Sequence, residues 1–403
     1  MKVTAIETIR LDERPNLIWV EVATDEGPVG LGETFFGAKA VEAYLHESVA
    51  PRLIGADPLQ IEAVARSLTG YLGFRGSGVE TRGNSSIDIA LWDLFGRAVG
   101  LPVWQVLGGR VRERIRTYNT CAGTDYVRKA PRQEVANWGL RSDGERGRYD
   151  DLDAFLDRAD ELAVELLEEG ITGMKIWPFD PCAEATGGLD ITPEDLRRGL
   201  EPFEKIRAAV GDRMDVMVEF HSLWRLPAAI RIAEALRPYG TYWHEDPIRL
   251  DSLASLARYA ERSPAPLCVS ETLAGKAAFR DLLQTEAAGI VMLDLSWCGG
   301  MTEARKIAAM ADAWHLPVAP HDCTGPVVLT ASTHLSLHAP NALIQESVRA
   351  FHRTWYGDIV TALPPITDGT ITVPDGPGLG LALHDDLDRR FTVSRRRTTA
   401  GDL

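Results

Sequence analysis

Three glutamates of this chain recur at one constant interval. Glu219, Glu245 and Glu271 are 26 residues apart, and each ends a short apolar run, in VMVEFH, YWHEDP and LCVSET. That interval matches one strand and helix unit, so the carboxylates are expected at equivalent ends of successive parallel strands. Converging carboxylates repel one another unless a hard cation neutralises them, and oxygen ligands suit Mg2+. The spacing therefore predicts a site for one Mg2+ per subunit.

Histidines stand at the ends of two further runs. His221 follows Glu219 by two residues, and such residues share one face of a strand. Asp294 ends the sixth apolar run and His321 follows the seventh, so neighbouring strand ends can bring this carboxylate against the imidazole. The carboxylate would fix one tautomer and stabilise the protonated ring, which suits a general base working near neutral pH. Glu346 ends the eighth run and completes the ring of polar residues.

Short strand-like runs alternate with amphipathic helical segments from residue 115 onward, and from the third run they recur every 23 to 27 residues. This pattern is typical of a (β/α) barrel, whose catalytic side chains lie at the carboxyl ends of its strands. The eight runs are IRTYNTC, GMKIWPF, DVMVEFHS, YWHEDP, LCVSET, IVMLDL, PVAPHD and ALIQES.

The first 114 residues have a different pattern. Three runs with strand character are followed by helical segments, which predicts an α+β domain of this length. Its last helix is expected to begin at the serine cap of NSSIDIALWDLFGRAVG and to end at Gly100. Residues 115–365 would form the barrel, and the Pro- and Gly-rich segment 366–403 would return to pack on the first domain.

Charge and cysteine content exclude several classes of protein. The chain has 43 Lys and Arg against 58 Asp and Glu, a net charge of −15, and only RRFTVSRRR is notably basic, so we expect no nucleic-acid partner. The N-terminal residues lack an apolar core and no stretch approaches roughly 18 apolar residues, which predicts a cytoplasmic protein without a membrane partner. The 5 scattered cysteines, without CxxC spacing, argue against disulfides and zinc.

The combination of these motifs resembles the enolase superfamily. The features that carry the resemblance are the order of the glutamates, EDP at the second one, the Asp294 and His321 pair, the late glutamate, and SSIDIALWDLFGRAVGLPVWQVLGG upstream. Within that superfamily the chain resembles the mandelate racemase subgroup, and its spacing is most similar to acid-sugar dehydratases of the galactonate dehydratase type. The resemblance covers nearly the whole chain.

The resemblance implies an α/β fold in which an α+β capping domain covers a (β/α)7β TIM-like barrel. It also implies a role for each matching residue. These are Mg2+ ligands for Glu219, Glu245 and Glu271, the base pair for His321 and Asp294, the general acid for His221, and a hydrogen bond to the substrate carboxylate for Glu346. Lys175 is expected to pair with a carboxylate or to polarise the substrate.

Two capping-domain loops, around GETFFG and YLGFRGSGVETRG, are expected to close over a small-molecule carboxylate substrate. The candidates for substrate contact on these loops are Phe35, Phe36, Phe74, Arg75 and Arg82. Trp224, on the exit loop of the third strand, is a candidate for shaping the pocket. The long polar connection 122–150 is expected to line or cover it.

Two residues depart from the family pattern. Family members often carry Lys-x-Lys on the second strand, with the second lysine acting as a base, whereas this chain has Lys175-Ile176-Trp177. A racemase needs proton exchange on both faces of the α-carbon, so Trp177 favours a one-base elimination and becomes a candidate for substrate contact. The family's usual first ligand is aspartate, whereas Glu219 is one methylene longer.

The expected reaction is dehydration of an aldonate-type sugar acid. His321 removes the α-proton, an ene-diolate forms at Mg2+, and the β-hydroxyl leaves with a proton from His221, giving a 2-keto-3-deoxy acid. The alternatives are a cycloisomerase that opens an anhydro- or lactone-type sugar acid, a racemase or epimerase, and a silent ligand-binding barrel. The resemblance also implies a homo-oligomer, either a dimer or an octamer.

Overall fold

A computed structural model describes residues 1–70, 76–126 and 147–403 of the chain. Three antiparallel strands come first, β1 (Val3–Leu11), β2 (Leu17–Thr24) and β3 (Val29–Phe35), as the sequence predicts. Within the described ranges no helix is both long enough and apolar enough to cross a lipid bilayer.

The helices of the first domain pack on this sheet. They are α1 (Ala38–Tyr44), a π-helical turn (Leu45–Val49), α2 (Ala50–Leu53), α3 (Ile61–Leu68), α4 (Val79–Val99) and α5 (Val103–Val106). Close contact between α4 and β3 depends on glycine, because a Cβ at Gly32 would lie 1.9 Å from the Ser86 carbonyl oxygen. The sheet and α4 therefore form one rigid support.

Helix α4 begins at Val79, and its N-cap Gly78 lies seven residues before Ser85, the first serine of the predicted cap. The serines within it do not cap the helix. Ser85 Oγ donates to the Thr81 carbonyl and Ser86 Oγ donates to the Gly83 carbonyl, as serines inside helices do. The predicted start was wrong because serine occurs inside helices, where its hydroxyl bonds to a backbone carbonyl, as well as at the N-cap. A serine in the sequence therefore does not by itself mark where a helix begins.

Each of the eight predicted barrel runs contains a parallel strand. They are β4 (Ile115–Thr120), β5 (Gly173–Ile176), β6 (Asp215–Glu219), β7 (His244–Glu245), β8 (Leu267–Val269), β9 (Ile290–Leu293), β10 (Val318–Pro320) and β11 (Gln345–Ser347). Strands β4 to β10 pair in chain order, and β11 pairs with β4. A bridge between Val318 and Ala342 joins β10 to the segment that leads into β11, so the ring closes.

Large side chains fill the interior of this ring. Tyr118, Met217, Trp243 and Met292 are all fully buried there. A packed interior leaves the carboxyl ends of the strands as the face on which a site can form.

Helices surround the strands. They are α6 (Asp151–Asp157), α7 (Ala159–Glu168), α8 (Asp180–Thr186), α9 (Pro193–Val210), α10 (Leu226–Leu236), α11 (Leu253–Ala260), α12 (Gly275–Leu283), α13 (Leu295–Cys298), α14 (Gly300–Ala313), α15 (Pro326–His338), α16 (Arg349–Thr354) and α17 (Tyr356–Ile359). Arg158 separates α6 from α7.

The C-terminal segment contacts both domains. Strands β12 (Ile366–Thr367) and β13 (Thr370–Ile371) form a hairpin whose second strand pairs with β4 of the barrel. Beyond α18 (Leu387–Arg390), strand β14 (Val393–Thr399) pairs antiparallel with β1. The predicted packing of 366–403 on the first domain is therefore wrong for the hairpin, whose second strand pairs with Ile115 and Arg116 at the start of β4, while β14 does join the first domain.

Candidate functional site

The three glutamates meet at the carboxyl ends of their strands. Glu219 and Glu245 end β6 and β7, and Glu271 follows β8 by two residues. One carboxylate oxygen of each lies within 4.8 Å of the other two. Glu219 and Glu245 are buried. Burial together with the charge of Glu219 raises the pKa of Glu245 well above its ordinary value.

Lys175, on β5, lies among these carboxylates. Its Nζ contacts Glu245 Oε1, and lies 2.9 Å from Glu346 Oε1 and 3.4 Å from Glu219 Oε2. Burial acts to lower the pKa of this ammonium, but the carboxylates outweigh it and hold the pKa well above its ordinary value. Lys175 is thus a permanent counter-charge within the cluster.

The donor set fits a hard divalent cation such as Mg2+. Glu219 Oε1 accepts the backbone N–H groups of Phe220 and His221 at 3.0 and 2.6 Å, and Glu245 Oε2 accepts Trp243 Nε1 at 2.9 Å. These bonds fix both carboxylates. Glu219 Oε2 is buried and accepts no hydrogen bond within the described part of the chain. An oriented cluster of buried carboxylate oxygens is what such an ion requires.

His321 follows β10 and connects two carboxylates. Its Nδ1 lies 2.8 Å from Asp294 Oδ2 and its Nε2 lies 2.8 Å from Glu271 Oε2. Asp294 is held in turn by the backbone N–H and the hydroxyl of Ser296, both at 2.7 Å. Burial opposes protonation of His321, yet Glu271 and Glu346 outweigh it, so its pKa is well above the ordinary value. We call His321, Asp294 and Ser296 the base arm.

His221 has the same arrangement on another strand. Its Nδ1 lies 2.7 Å from Asp180 Oδ2, and the Tyr126 hydroxyl lies 3.3 Å from its Nε2. Burial lowers the pKa of His221, but Asp180 and Glu219 outweigh it and raise that pKa to about 9. We call His221, Asp180 and Tyr126 the acid arm. The arms extend from the third and seventh of the ring's strands, so they face each other across the carboxylates.

Glu346 is fully engaged by protein groups. Its Oε1 accepts the Thr120 hydroxyl and contacts Lys175, and its Oε2 accepts the Asp322 backbone N–H at 2.8 Å. The resemblance implies a contact between Glu346 and the substrate carboxylate, whereas the structure places Glu346 beneath the cluster as a partner of Lys175. The substrate role of Glu346 stays a prediction.

One cavity lies between the two arms. Its described lining is Phe35, Phe36, Thr120, Tyr126, Lys175, Trp177, Glu219, His221, Glu271, Thr272, Trp297, His321 and Cys323. Phe36 reaches it from the capping domain and Trp177 from the end of β5, and their predicted contact with substrate stays a prediction. The Trp177 ring stands edge-on to His221 at 5.5 Å, and the Trp297 ring lies 5.4 Å from His321. Each imidazole therefore has an indole beside it.

Arg82 supports the cavity wall and is not part of the described lining. Its guanidinium donates to the carbonyl oxygens of Phe35 and Ser77, and it lies 4.6 Å from the centre of the Trp297 ring. Burial lowers its pKa to about 10. Arg82 therefore fixes the loop that carries Phe35 and Phe36, and direct substrate contact by Arg82 stays a prediction.

Trp224 does not line the cavity in the described part of the chain. It is buried, and its backbone bridges to Ile248 on the next exit loop. The predicted role in shaping the pocket is therefore not seen, because the side chain is buried and is absent from the described lining. Phe74 and Arg75, and residues 127–146 of the long connection, lie outside the described residues.

Sequence reasoning missed Asp180 and Tyr126. Asp180 stands three residues after Trp177, in WPFD, and Tyr126 stands six residues after the end of β4. The only signal for Asp180 was an acidic residue soon after a barrel strand. Such residues are common on exit loops, so this signal alone does not identify a partner for His221.

Comparison with known proteins agrees with this geometry. Residues 3–108 match the N-terminal domain of mandelate racemase and muconate lactonizing enzyme, and residues 158–387 match the enolase C-terminal domain-like family. The chain is 30% identical to a D-galactonate dehydratase of Ralstonia nicotianae, over 99% of this chain and 95% of that one. It is 31% identical to a D-xylonate dehydratase of Haloferax volcanii, over 96% of this chain and 87% of that one.

Solved structures give the same result. An enolase of the mandelate racemase subgroup from Agrobacterium tumefaciens is 61% identical, covers 100% of both chains and superposes with a TM-score of 0.90. An enolase protein from Sargasso Sea environmental sequence is 44% identical over 99% of both chains, with a TM-score of 0.87. The chain described here belongs to the enolase superfamily, in its mandelate racemase and muconate lactonizing enzyme family.

Proposed function

We propose that this protein is a hydro-lyase that dehydrates an aldonate-type sugar acid with the help of Mg2+. The dehydratase names of its relatives from Ralstonia nicotianae and Haloferax volcanii support acid-sugar dehydration. The product would be a 2-keto-3-deoxy acid.

The observation that carries the proposal is the pair of arms on one cavity. His321 and His221 each use Nδ1 to contact a buried aspartate, at 2.8 and 2.7 Å, and both line the cavity together with Glu219 and Glu271. Elimination of water needs one group that removes a proton and a second that supplies one to the leaving oxygen. Two opposed imidazoles meet this need.

The chain's own residues account for the proton movements. His321 Nε2 takes the α-proton, and Asp294 stabilises the resulting imidazolium through Nδ1. The electron pair left on the α-carbon forms a double bond to the β-carbon as the β-hydroxyl leaves with the C–O bonding pair. His221 donates a proton to that oxygen, so water departs, and the remaining enol becomes the ketone.

Glu219, Glu245 and Glu271 would hold Mg2+, which supplies fixed positive charge next to the substrate carboxylate while negative charge builds on its oxygens. Lys175 adds a second positive charge from below, through its contacts with the same carboxylates. The aromatic side chains that line the cavity restrict the access of water, and they are Phe35, Phe36, Tyr126, Trp177 and Trp297.

Racemisation is disfavoured by the second strand. Trp177 occupies the position at which racemases of this family carry a basic lysine, and its ring is buried between Phe155, Tyr126 and His221. Lys175 contacts Glu219, Glu245 and Glu346, so it is not available as a second base. The side of the cavity formed by Lys175 and Trp177 therefore supports a reaction with a single base.

The proposal is tested by incubating the purified protein and Mg2+ with a panel of aldonates and anhydro-sugar acids, and detecting 2-keto acids with semicarbazide. We expect product from an aldonate, loss of activity after chelation, and recovery with Mg2+. His321→Asn should abolish the reaction, whereas the exposed control His315→Asn should not.

Three results would argue against dehydration. Product from anhydro acids alone would assign a cycloisomerase, and α-deuterium exchange without elimination would assign a racemase or epimerase. An unreactive wild-type protein across the whole panel would support a ligand-binding role instead.

A further inference from the structure

Asp180 is a fully buried carboxylate outside the residues that resemblance assigns to the site. It is the first residue of α8 and follows β5 after Trp177, Pro178 and Phe179. Its Oδ2 lies 2.7 Å from His221 Nδ1, and its Oδ1 has no hydrogen-bond partner within the described ranges. A buried carboxylate costs several kcal/mol of desolvation unless it is paired, so this contact is its principal compensation.

The backbone of His221 is also constrained. Its φ is 48°, in the left-handed region, and its N–H donates to Glu219 Oε1 at 2.6 Å. This turn directs the imidazole toward the loop after β5, where Asp180 lies. The Trp177 ring stands edge-on to the imidazole at 5.5 Å and limits its rotation from a second side.

The second ring nitrogen is presented to the cavity. Tyr126 lines the cavity, and its hydroxyl lies 3.3 Å from His221 Nε2. The two ring nitrogens of His321 are arranged in the same way, since Nδ1 contacts Asp294 and Nε2 faces Glu271. Each imidazole therefore has one nitrogen bound to a buried aspartate and the other directed at the reacting centre.

We propose that Asp180 is the positioning residue of the general acid, and that by accepting Nδ1–H it fixes His221 with Nε2–H toward the leaving hydroxyl. This inference rests on the proposed dehydration. During the step, the proton on Nε2 moves to the β-oxygen as the C–O bond breaks, and water leaves with the bonding pair. His221 ends neutral, and its remaining proton stays on Nδ1 against Asp180. Without Asp180 the ring can turn and present carbon to the cavity.

The test separates the two half-reactions in D2O. Asp180→Asn should lower the elimination rate by roughly 10- to 100-fold, as loss of such supporting partners does, while α-proton exchange by His321 stays within about twofold of wild type. The matched control is Asp190→Asn, an exposed aspartate that follows the same helix, and it should change neither rate. A purely structural defect would lower both rates together.

A second measurement does not depend on turnover. In protein labelled with 15N-histidine, wild type should show a proton on Nδ1 of His221 in a strong hydrogen bond, with its signal far downfield. This signal should be missing in Asp180→Asn and in His221→Asn, and present in Asp190→Asn.

Three outcomes would overturn the role of Asp180. They are equal loss of exchange and elimination, elimination at the wild-type rate in Asp180→Asn, and absence of the downfield signal from wild type. If wild type shows the signal but acts on no sugar acid, the proposed function fails while the positioning of His221 by Asp180 stands. The wild-type spectrum answers the question even if Asp180→Asn fails to fold.

Discussion

The two arms of the site differ in what holds them. The base arm continues into the segment 294–302, whose backbone forms three hydrogen bonds with side chains of the capping domain among the described residues. Thr34 Oγ1 donates to the Ser296 carbonyl at 3.1 Å, Ser85 Oγ accepts from the Gly299 N–H at 3.0 Å, and Asp88 Oδ1 accepts from the Thr302 N–H at 2.9 Å. The acid arm is held by residues of the barrel, namely Asp180, Tyr126 and Trp177.

In the proposed reaction, this difference separates proton removal from proton delivery. A change at the boundary between the domains should reach His321 through Ser296 and Asp294, and should leave His221 in place. A change on the loop after β5 should have the opposite effect. Because exchange reports on the base and elimination reports on both groups, the two arms can be measured independently.

The largest expected effect is the removal of either imidazole. His321→Asn should lower α-proton exchange and elimination together, by roughly 10²- to 10⁴-fold, since the base acts first. His221→Asn should lower elimination by a similar factor and retain exchange. Proton NMR in D2O measures exchange, and semicarbazide measures the product. Loss of exchange in His221→Asn would contradict the separation of the arms.

Substitution of Lys175, which lies beneath both arms, should affect the base arm and the acid arm alike. Lys175→Met leaves buried carboxylates without their cation, so unfolding in urea should require roughly 3–5 kcal/mol less free energy. Added Mg2+ should recover part of this loss because it binds the folded state.

Lys276→Met is the matched control for that variant. It breaks an exposed pair with Glu303, at 2.9 Å, and should cost at most about 1 kcal/mol. Equal losses in the two variants would show that the carboxylate cluster does not depend on Lys175.

Asp88 gives the domain boundary a dependence on pH. Burial raises its pKa to about 7, whereas an unfolded aspartate has a pKa of about 3.9. Between these values the unfolded chain has lost the proton and the folded chain retains it, so stability should fall as pH rises from about 4 to 7. The contribution of Asp88 is on the order of 4 kcal/mol at most, and it is fully present below about pH 4.

Asp88→Asn should remove this slope and still accept the Thr302 N–H. Urea denaturation at a series of pH values measures the slope. The exposed aspartate Asp281, whose partner is Arg280, provides the control Asp281→Asn, which should keep it. Parallel curves for wild type and Asp88→Asn would exclude Asp88 as the source.

The smallest effect is expected from the hydroxyl of Thr34. Thr34→Val removes its hydrogen bond to the Ser296 carbonyl and should cost about 1 kcal/mol. Exchange should slow several-fold while the ratio of elimination to exchange stays constant. Thr285→Val, which removes a similar bond to Leu282 on a barrel helix, is the control. A changed ratio in Thr34→Val would mean that the capping domain also supports the acid arm.

The predictable part of the site is the part that repeats. Glu219, Glu245, Asp294 and His321 could be found because strand ends recur at a regular interval and the barrel brings them to one face. Asp180 could not, because it is 41 residues from His221 and its contact depends on the path of a loop. Sequence periodicity contains no information about that path.

Contacts that depend on the path of a loop or on distant parts of the chain also explain two wrong predictions, for Trp224 and for the C-terminal hairpin. Trp224 follows a strand closely, as pocket residues do, yet its side chain is buried and is absent from the described lining of the cavity. The hairpin at 366–371 joins the barrel because β13 pairs with Ile115 and Arg116, which precede the part of β4 that pairs with β5 and β11, a contact between positions about 250 residues apart. The eight strands and the meander, which depend on local alternation of apolar residues, were predicted correctly.

The pairing of β14 with β1 affects how the protein is made. Residues 5–11 pair with residues 393–399, so β1 leaves the ribosome long before its partner β14. Until then β1 exposes an unpaired edge, which is a place for mispairing with other chains. Assembly of the capping sheet, and with it the wall that carries Phe36, is therefore a late event in the synthesis of the enzyme.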